Sequence, residues 1–317
     1  MIITRTPLRI SLCGGGTDLP QFYERHGGAC VSFAISKYVY VTVNQKFDTQ
    51  IRLSYSKTEN VRKASQLKHD IARACLQGMA GLEITSVSDI PGEGTGLGSS
   101  SSFAVGLLNA LHHIPGTGNL AEMAYLAELG CGHGAGKQDF YAAAYGGLHL
   151  FQFHKDGSVC AEPLITNGDI LELQDYFLLF WTGKTRRASK ILHQQAINIS
   201  QDGTAEFAAL DMRDLALDLA RELRDGNIEA VGPFLNENWA LKKKLAPGIS
   251  DVWIDDVYEK AMEAGATGGK ICGAGGGGFL LLFAEPKYHA AIELTVGMRR
   301  IFFEIEEEGS KVIYGCR

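Results

Sequence analysis

Four segments of the chain carry residues whose types and spacing could do chemistry. The first, Pro7-Leu8-Arg9-Ile10-Ser11-Leu12-Cys13-Gly14-Gly15-Gly16-Thr17-Asp18, is a strand-like stretch that runs into three glycines and an acid. Glycines let a chain turn sharply and let a ligand approach the backbone. A short acid at such a turn can accept hydrogen bonds from hydroxyl groups, although a hairpin with an Asx cap would use the same residues. The second segment, Pro91–Ser102, holds four glycines and four serines within eleven residues and feeds an apolar helix from Phe103. A glycine loop at a helix N-terminus is an anion site, because unpaired N–H groups and the positive end of the macrodipole face the ligand. So many small residues exceed what N-capping needs.

The third segment, Gly268–Phe279, contains the letters G-x-G-x-x-G at Gly273, Gly275 and Gly278. Its glycines lead into a strand, whereas a dinucleotide-binding turn runs from strand to helix, and no Walker A sequence is present. Four consecutive glycines each cost roughly 0.5–1 kcal/mol, which asks for a functional reason. The fourth segment, Gly134-Ala135-Gly136-Lys137-Gln138-Asp139, places an acid beside a lysine in a glycine-bearing loop. That acid could be a catalytic base, or the loop could be a solvated turn. Lys242-Lys243-Lys244 is read as an exposed helix face near a C-terminus.

The elements that must position these segments follow from periodicity. Strands are expected at Tyr38–Val43, Gln50–Tyr55, Gly147–Phe153, Val159–Leu164, Tyr176–Trp181 and Phe279–Phe283. Helical spacing marks Lys68–Met79, Ser99–Leu111, Leu120–Leu129, Ala205–Leu223, Ile228–Leu245, Val252–Ala264 and Pro286–Arg299. Ile301–Ile305 and Lys311–Tyr314 read as a closing strand pair. Mixed strands and helices throughout indicate an α+β protein, with a division near 170 into segments 1–170 and 171–317.

Composition narrows the class. The chain has 317 residues, 45% of them hydrophobic and 21% charged, which suits a globular protein. A formal net charge of −6 lacks the footprint of a nucleic-acid binder. No membrane span or secretory leader is visible. Seven cysteines, with no C-x-x-C pair, suggest reduced thiols in a cytoplasm.

Taken in order, the segments resemble the GHMP kinases. That family's first motif is similar to Pro7, Arg9, Gly14, Thr17 and Asp18, its Gly-Leu-Gly-Ser-Ser to Gly96–Ser100, and its third motif to Gly273–Gly277. A narrower resemblance is to the D-glycero-D-manno-heptose 7-phosphate kinases, carried by the four serines after Gly98, by Gly136–Asp139, by Gly183–Arg186 and by Gly273–Phe279. The kinase part of bifunctional fucokinases shares much of this pattern. The Glu and His that galactokinases carry before Thr-Asp are replaced by glycines, which argues against a plain galactokinase.

The resemblance implies a two-domain fold, ribosomal-S5-like then ferredoxin-like, with the site between them. It implies an ATP-dependent sugar 1-kinase feeding nucleotide-heptose and surface polysaccharide synthesis. Gly94, Gly96, Leu97, Gly98, Ser99, Ser100 and Ser101 would hold the ATP phosphates. Ser100 and Glu128, which lies eleven residues before Asp139, would hold Mg²⁺. Asp139 would orient or deprotonate the accepting hydroxyl, with Arg9 beside it. Asp18, Gly15, Gly16, Thr17, Lys137, Gly275 and Gly276 would surround the substrates. Lys184, Arg186 and Arg187 gather before a helix, where cations are unfavourable unless an anion binds; a sugar 7-phosphate would relieve that conflict. Partners are then a sugar phosphate and ATP, with the oligomeric state open and a homodimer one arrangement. Three rivals stand: a kinase for another sugar such as fucose, an inactive sugar or nucleotide sensor on the same fold, and a nicotinamide oxidoreductase.

Overall fold

The computed structural model describes residues 1–90, 94–112, 116–132, 136–164, 167–185 and 188–315. β-Branched and aromatic residues build two long antiparallel strands, β1 (Ile2–Cys13) and β2 (Gly28–Gln45), joined through helix α1 (Pro20–His26). Short strands β3 (Ile51–Ser54) and β4 (Thr58–Val61) form a hairpin, followed by α2 (Asp70–Cys75) and β5 (Leu82–Ser88). Three helices come next, α3 (Ser99–His112), α4 (Thr117–Leu129) and α5 (Gln138–Tyr145), then β6 (Leu148–Phe153) and β7 (Val159–Pro163). The length of β2 lets it serve two neighbours: Gly28–Phe33 pairs with β6, and Val39–Gln45 with β5. α3 and α8 (Gly203–Arg224) both pack on β1 and β2, and every residue from Thr6 to Cys13 is buried.

The second half begins with α6 (Asn167–Asp175), β8 (Phe177–Trp181) and α7 (Ala188–Gln201). After α8 come α9 (Val231–Lys243), α10 (Val252–Glu263), β9 (Gly268–Ile271), β10 (Phe279–Phe283), α11 (His289–Val296) and β11 (Arg299–Arg300). Its strands form an antiparallel sheet in the order β11-β8-β10-β9. β8 and β10 are apolar on both faces because both faces are covered. Phe177, Leu179, Phe279, Leu281 and Phe283 join the core of the first sheet, while Leu178, Phe180, Leu280 and Leu282 join a second core with Met212, Trp239 and Ile254. α8 spans both cores, with Ala208, Ala209 and Met212 in one and Ala216, Leu219 and Leu223 in the other. Side chains of this size each stabilise the fold by about 1.5–3 kcal/mol when fully buried.

Several elements depart from the periodicity. The expected pair of Ile301–Ile305 with Lys311–Tyr314 does not form. Lys311–Gly315 is β12, which pairs with β1 and completes an eight-stranded first sheet, while Ile305 makes a lone bridge to Ile35. β12 takes the edge of β1 that β2 leaves open. Residues 311–315 thus belong to the sheet built mainly from the first half. The helix over Lys68–Met79 shrinks to α2, and Pro286–Arg299 splits into a 3-10 turn and α11, which stops at a left-handed Gly297. The loop holding Asp139 is instead the first turn of α5. Among the described residues no helix is long and apolar enough to cross a membrane.

Candidate active site

Arg9 sits on β1 with only 3% of its surface exposed. Its backbone N–H donates to Leu97 O at 3.0 Å and its Nη1 to Gly96 O at 2.7 Å, which pins the second glycine loop to the strand. Its Nε and Nη2 donate to Asp139 Oδ1 and Oδ2 at 2.7 and 2.6 Å, a bidentate ion pair. Burial works against the Arg9 charge, but Asp139 outweighs it and holds the guanidinium above its ordinary value.

Asp139 is the second residue of α5, where a carboxylate favours the helix dipole. The start of α5 is held from outside by Asp18, whose Oδ2 accepts the Gln138 N–H at 3.2 Å and whose Oδ1 accepts the Gly16 N–H at 2.9 Å. Burial, and then the charge of Asp139, raise the Asp18 carboxyl above its usual value.

The second glycine loop owes its path to backbone that side chains rarely adopt. Gly94, Gly96 and Gly98 have φ of 75°, 81° and 77°. A Cβ on Gly96 would stand 2.3 Å from Cys272 O, and one on Gly278 would stand 2.2 Å from Thr95 O. The third glycine segment therefore interlocks with the second, which gives its run of glycines a steric reason. α3 follows with its first N–H groups free of intrahelical partners, and Ser102 Oγ donates to Pro7 O at 2.8 Å, docking the helix on β1.

Glu128 of α4 is 8% exposed, and Ser100 Oγ lies 3.3 Å from both its carboxylate oxygens. Burial, and then the charge of Asp139, push the Glu128 carboxyl up to about 7. A buried carboxylate with a hydroxyl beside it and no cation paired with it among the described residues suits Mg²⁺, which takes one or two protein oxygens and completes its shell with phosphate and water. Among the described residues no group of three or more His, Cys, Asp or Glu could hold a metal by itself.

A cavity of about 170 Å³ joins these pieces, lined by Arg9, Gly15, Gly16, Asp18, Gly94, Gly96, Gly98, Ser99, Ser100, Ser101, Glu128 and Asp139. Thr95 of the expected phosphate loop lines it too, and so do Ser11, Gln138, Leu192, Lys242 and Lys270, which sequence reasoning missed as site residues. Of Lys242-Lys243-Lys244, read as an exposed face, Lys243 and Lys244 are exposed but Lys242 is not: it is 3% exposed, and its Nζ donates to Gly15 O at 2.6 Å and Gln195 Oε1 at 3.0 Å. The signal was helical spacing, since Leu235, Asn238, Trp239 and Lys242 fall on the buried face of α9. Lys270, 2% exposed, donates to Ser11 O and Leu12 O at 2.8 and 3.3 Å, and burial lowers its affinity for the proton.

Other expected site residues stand outside the cavity lining. The Leu97 side chain is buried in the core. Thr17 is buried, its hydroxyl donating to Ala29 O at 3.0 Å. Lys137 is taken by Glu122, at 2.8 and 2.9 Å, and by Gly157 O at 2.6 Å. Gly275 and Gly276 pack against Ile249. Lys184 pairs with Asp251 at 2.9 Å and lies 4.3 Å over the Trp253 ring. Arg186 and Arg187 lie outside the described residues.

Residues 60–147 match the family model of the GHMP kinases N terminal domain, and residues 219–294 that of the GHMP kinases C terminal domain, together about half of the chain. The chain belongs to the GHMP kinase family. Among GHMP kinases it is similar to the D-glycero-alpha-D-manno-heptose 7-phosphate kinase of Campylobacter jejuni, 29% identical over 306 residues that cover 90% of each chain. It is 26% identical over 347 residues to the L-fucokinase/L-fucose-1-P guanylyltransferase of Bacteroides fragilis, covering 95% of this chain and 36% of that one. The crystal structure of a D-glycero-D-manno-heptose 1-phosphate kinase from Bacteroides thetaiotaomicron superposes with a TM-score of 0.79 at 25% identity, over 99% of this chain and all of that one.

Proposed function

We propose that this GHMP kinase transfers the γ-phosphoryl group of ATP to the anomeric hydroxyl of a sugar, with D-glycero-D-manno-heptose 7-phosphate as acceptor and the 1,7-bisphosphate as product. The observation that carries the reading is the bidentate Arg9–Asp139 pair, set in one cavity with the N-terminus of α3.

Phosphoryl transfer needs its two substrates in line and the charge on the moving group neutralised. Gly94, Gly96 and Gly98 with Ser99, Ser100 and Ser101 offer backbone N–H groups and a helix dipole to the triphosphate. Ser100 and Glu128 would hold Mg²⁺, which supplies charge neutralisation on the phosphates. Arg9 fixes the Asp139 carboxylate in one orientation, so that it can accept the hydrogen bond of the attacking hydroxyl. Leu192, one turn inside α7, lines the cavity. Arg186 and Arg187 precede that helix in sequence, where cations are unfavourable unless an anion binds, which is the reason for assigning the sugar 7-phosphate to them.

An assay of ADP release across sugars and sugar phosphates tests the reading. Turnover with the heptose 7-phosphate well above that with the unphosphorylated heptose or L-fucose supports it. Preference for fucose moves the acceptor to the alternative that the Bacteroides fragilis relative suggests. No ADP release with any sugar overturns the kinase reading.

A further inference from the structure

Three side chains at the cavity have buried polar atoms without a partner among the described residues, and the phosphoryl-transfer apparatus uses only one of them, Ser99. The Ser11 hydroxyl and the Gln138 Oε1 are buried and unpaired, in residues that are 2% and 8% exposed. Both residues line the cavity. Each flanks a member of the central ion pair. Ser11 lies two residues beyond Arg9 in regular register on β1, which puts both on one face of the strand. Gln138 immediately precedes Asp139 in the first turn of α5.

The two side chains converge. A Cβ on Gly15 would lie 3.2 Å from the Ser11 hydroxyl and 3.2 Å from Gln138 Nε2, so the hydroxyl and the amide nitrogen, not the amide oxygen, reach the same small space above the Gly15 backbone. That space is kept open by a residue without a side chain. Its walls are also fixed: Lys270 Nζ holds Ser11 O at 2.8 Å, Lys242 Nζ holds Gly15 O at 2.6 Å, and Asp18 holds the Gln138 N–H.

The chemistry of this space selects its occupant. An amide nitrogen only donates hydrogen bonds, whereas a serine hydroxyl donates or accepts. A hydroxyl group can accept from Gln138 Nε2 and donate to Ser11 Oγ. The Asp18 carboxylate in the same lining disfavours an anion there. We infer that Ser11 and Gln138 bind a second hydroxyl of the sugar acceptor, distinct from the one that is phosphorylated, and so set which sugars the enzyme takes. The inference rests on the sugar-kinase reading above.

Steady-state kinetics of wild type, Ser11→Ala and Gln138→Met test it, using the best sugar found in the panel and its monodeoxy analogues. A polar site denied its hydroxyl partner loses discrimination steeply. Each variant is expected to raise the acceptor KM by roughly ten-fold, on the order of one lost hydrogen bond, with the ATP KM within about two-fold of wild type. On one deoxy analogue, lacking the hydroxyl that Ser11 and Gln138 bind, wild type and variants should coincide. A loss that persists on every analogue, or that raises both KM values together, marks a structural role and overturns the inference. So does an unchanged acceptor KM. If Gln138→Met does not fold, Ser11→Ala, which removes a single oxygen, decides alone. Failure of the wild type to phosphorylate any sugar removes the parent reading and this inference together. Sugar turnover with unperturbed variants removes the inference only.

Discussion

A methyl group on Gly136 would stand 1.9 Å from Asp18 Oδ2, the oxygen that receives the first N–H of α5. The glycine is there because the acid is. Gly136→Ala is expected to push Asp18 off the Gln138 and Gly16 N–H groups and loosen the turn that carries Asp139. The expected cost is about 1–3 kcal/mol of stability, as for other overpacked sites, and a larger fall in acceptor kcat/KM than in ATP kcat/KM. Thermal melts and two-substrate kinetics check it; wild-type melting and kinetics would mean that the loop yields freely.

Asp139→Asn keeps the shape of the side chain and removes its charge. Nucleotide binding should persist while kcat falls roughly 10²–10⁴-fold, the range for a positioned acid–base group. Turnover near that of wild type would take Asp139 out of the chemistry.

Ser100→Ala and Glu128→Gln each remove or weaken one hard oxygen beside the phosphate loop. Both should raise the Mg²⁺ concentration needed for half-maximal activity. Superimposable Mg²⁺ titrations for the two variants and wild type would place the metal elsewhere.

Lys184, Arg186 and Arg187 are neighbours in sequence, but they should respond differently. Lys184→Met breaks an exposed pair with Asp251, and such pairs are worth about 0–1 kcal/mol, so stability and acceptor KM should hardly change. Arg186→Met or Arg187→Met should raise KM for the heptose 7-phosphate and spare KM for ATP. Equal effects from all three would point to general charge rather than a phosphate site.

The elements with strong periodicity were legible in the sequence: β10 matches residue for residue at Phe279–Phe283, and α3 and α8 come within two residues. The phosphate loop, Arg9, Asp18, Glu128 and Asp139 could be named because three short motifs in order resemble those of the GHMP kinases; read alone, each segment also suited a turn or a cap. Lys242 and Lys270 were missed, because a lysine read alone is a surface residue, and only the helical spacing of α9 hinted otherwise for Lys242. Only the fold shows that each is drawn inward to hold backbone carbonyls of β1 and the glycine turn after it. The pairing of β12 was hidden for a related reason. Local sequence reveals that a segment is extended, but its neighbour in the sheet is a contact at long range.

That pairing bears on how the molecule is made. Ile2 lies opposite Gly315 across β1 and β12, so the outer rail of the first sheet is laid down about 300 residues after the strand it protects. During synthesis β1 must wait with one edge open, next to an apolar β2, until residues 311–315 have left the ribosome. Contacts this distant slow folding and leave time for edge-to-edge association between nascent chains. A shortened chain lacking 311–317 would carry that open edge permanently, and its fault would show as aggregation on expression rather than as a change at the cavity.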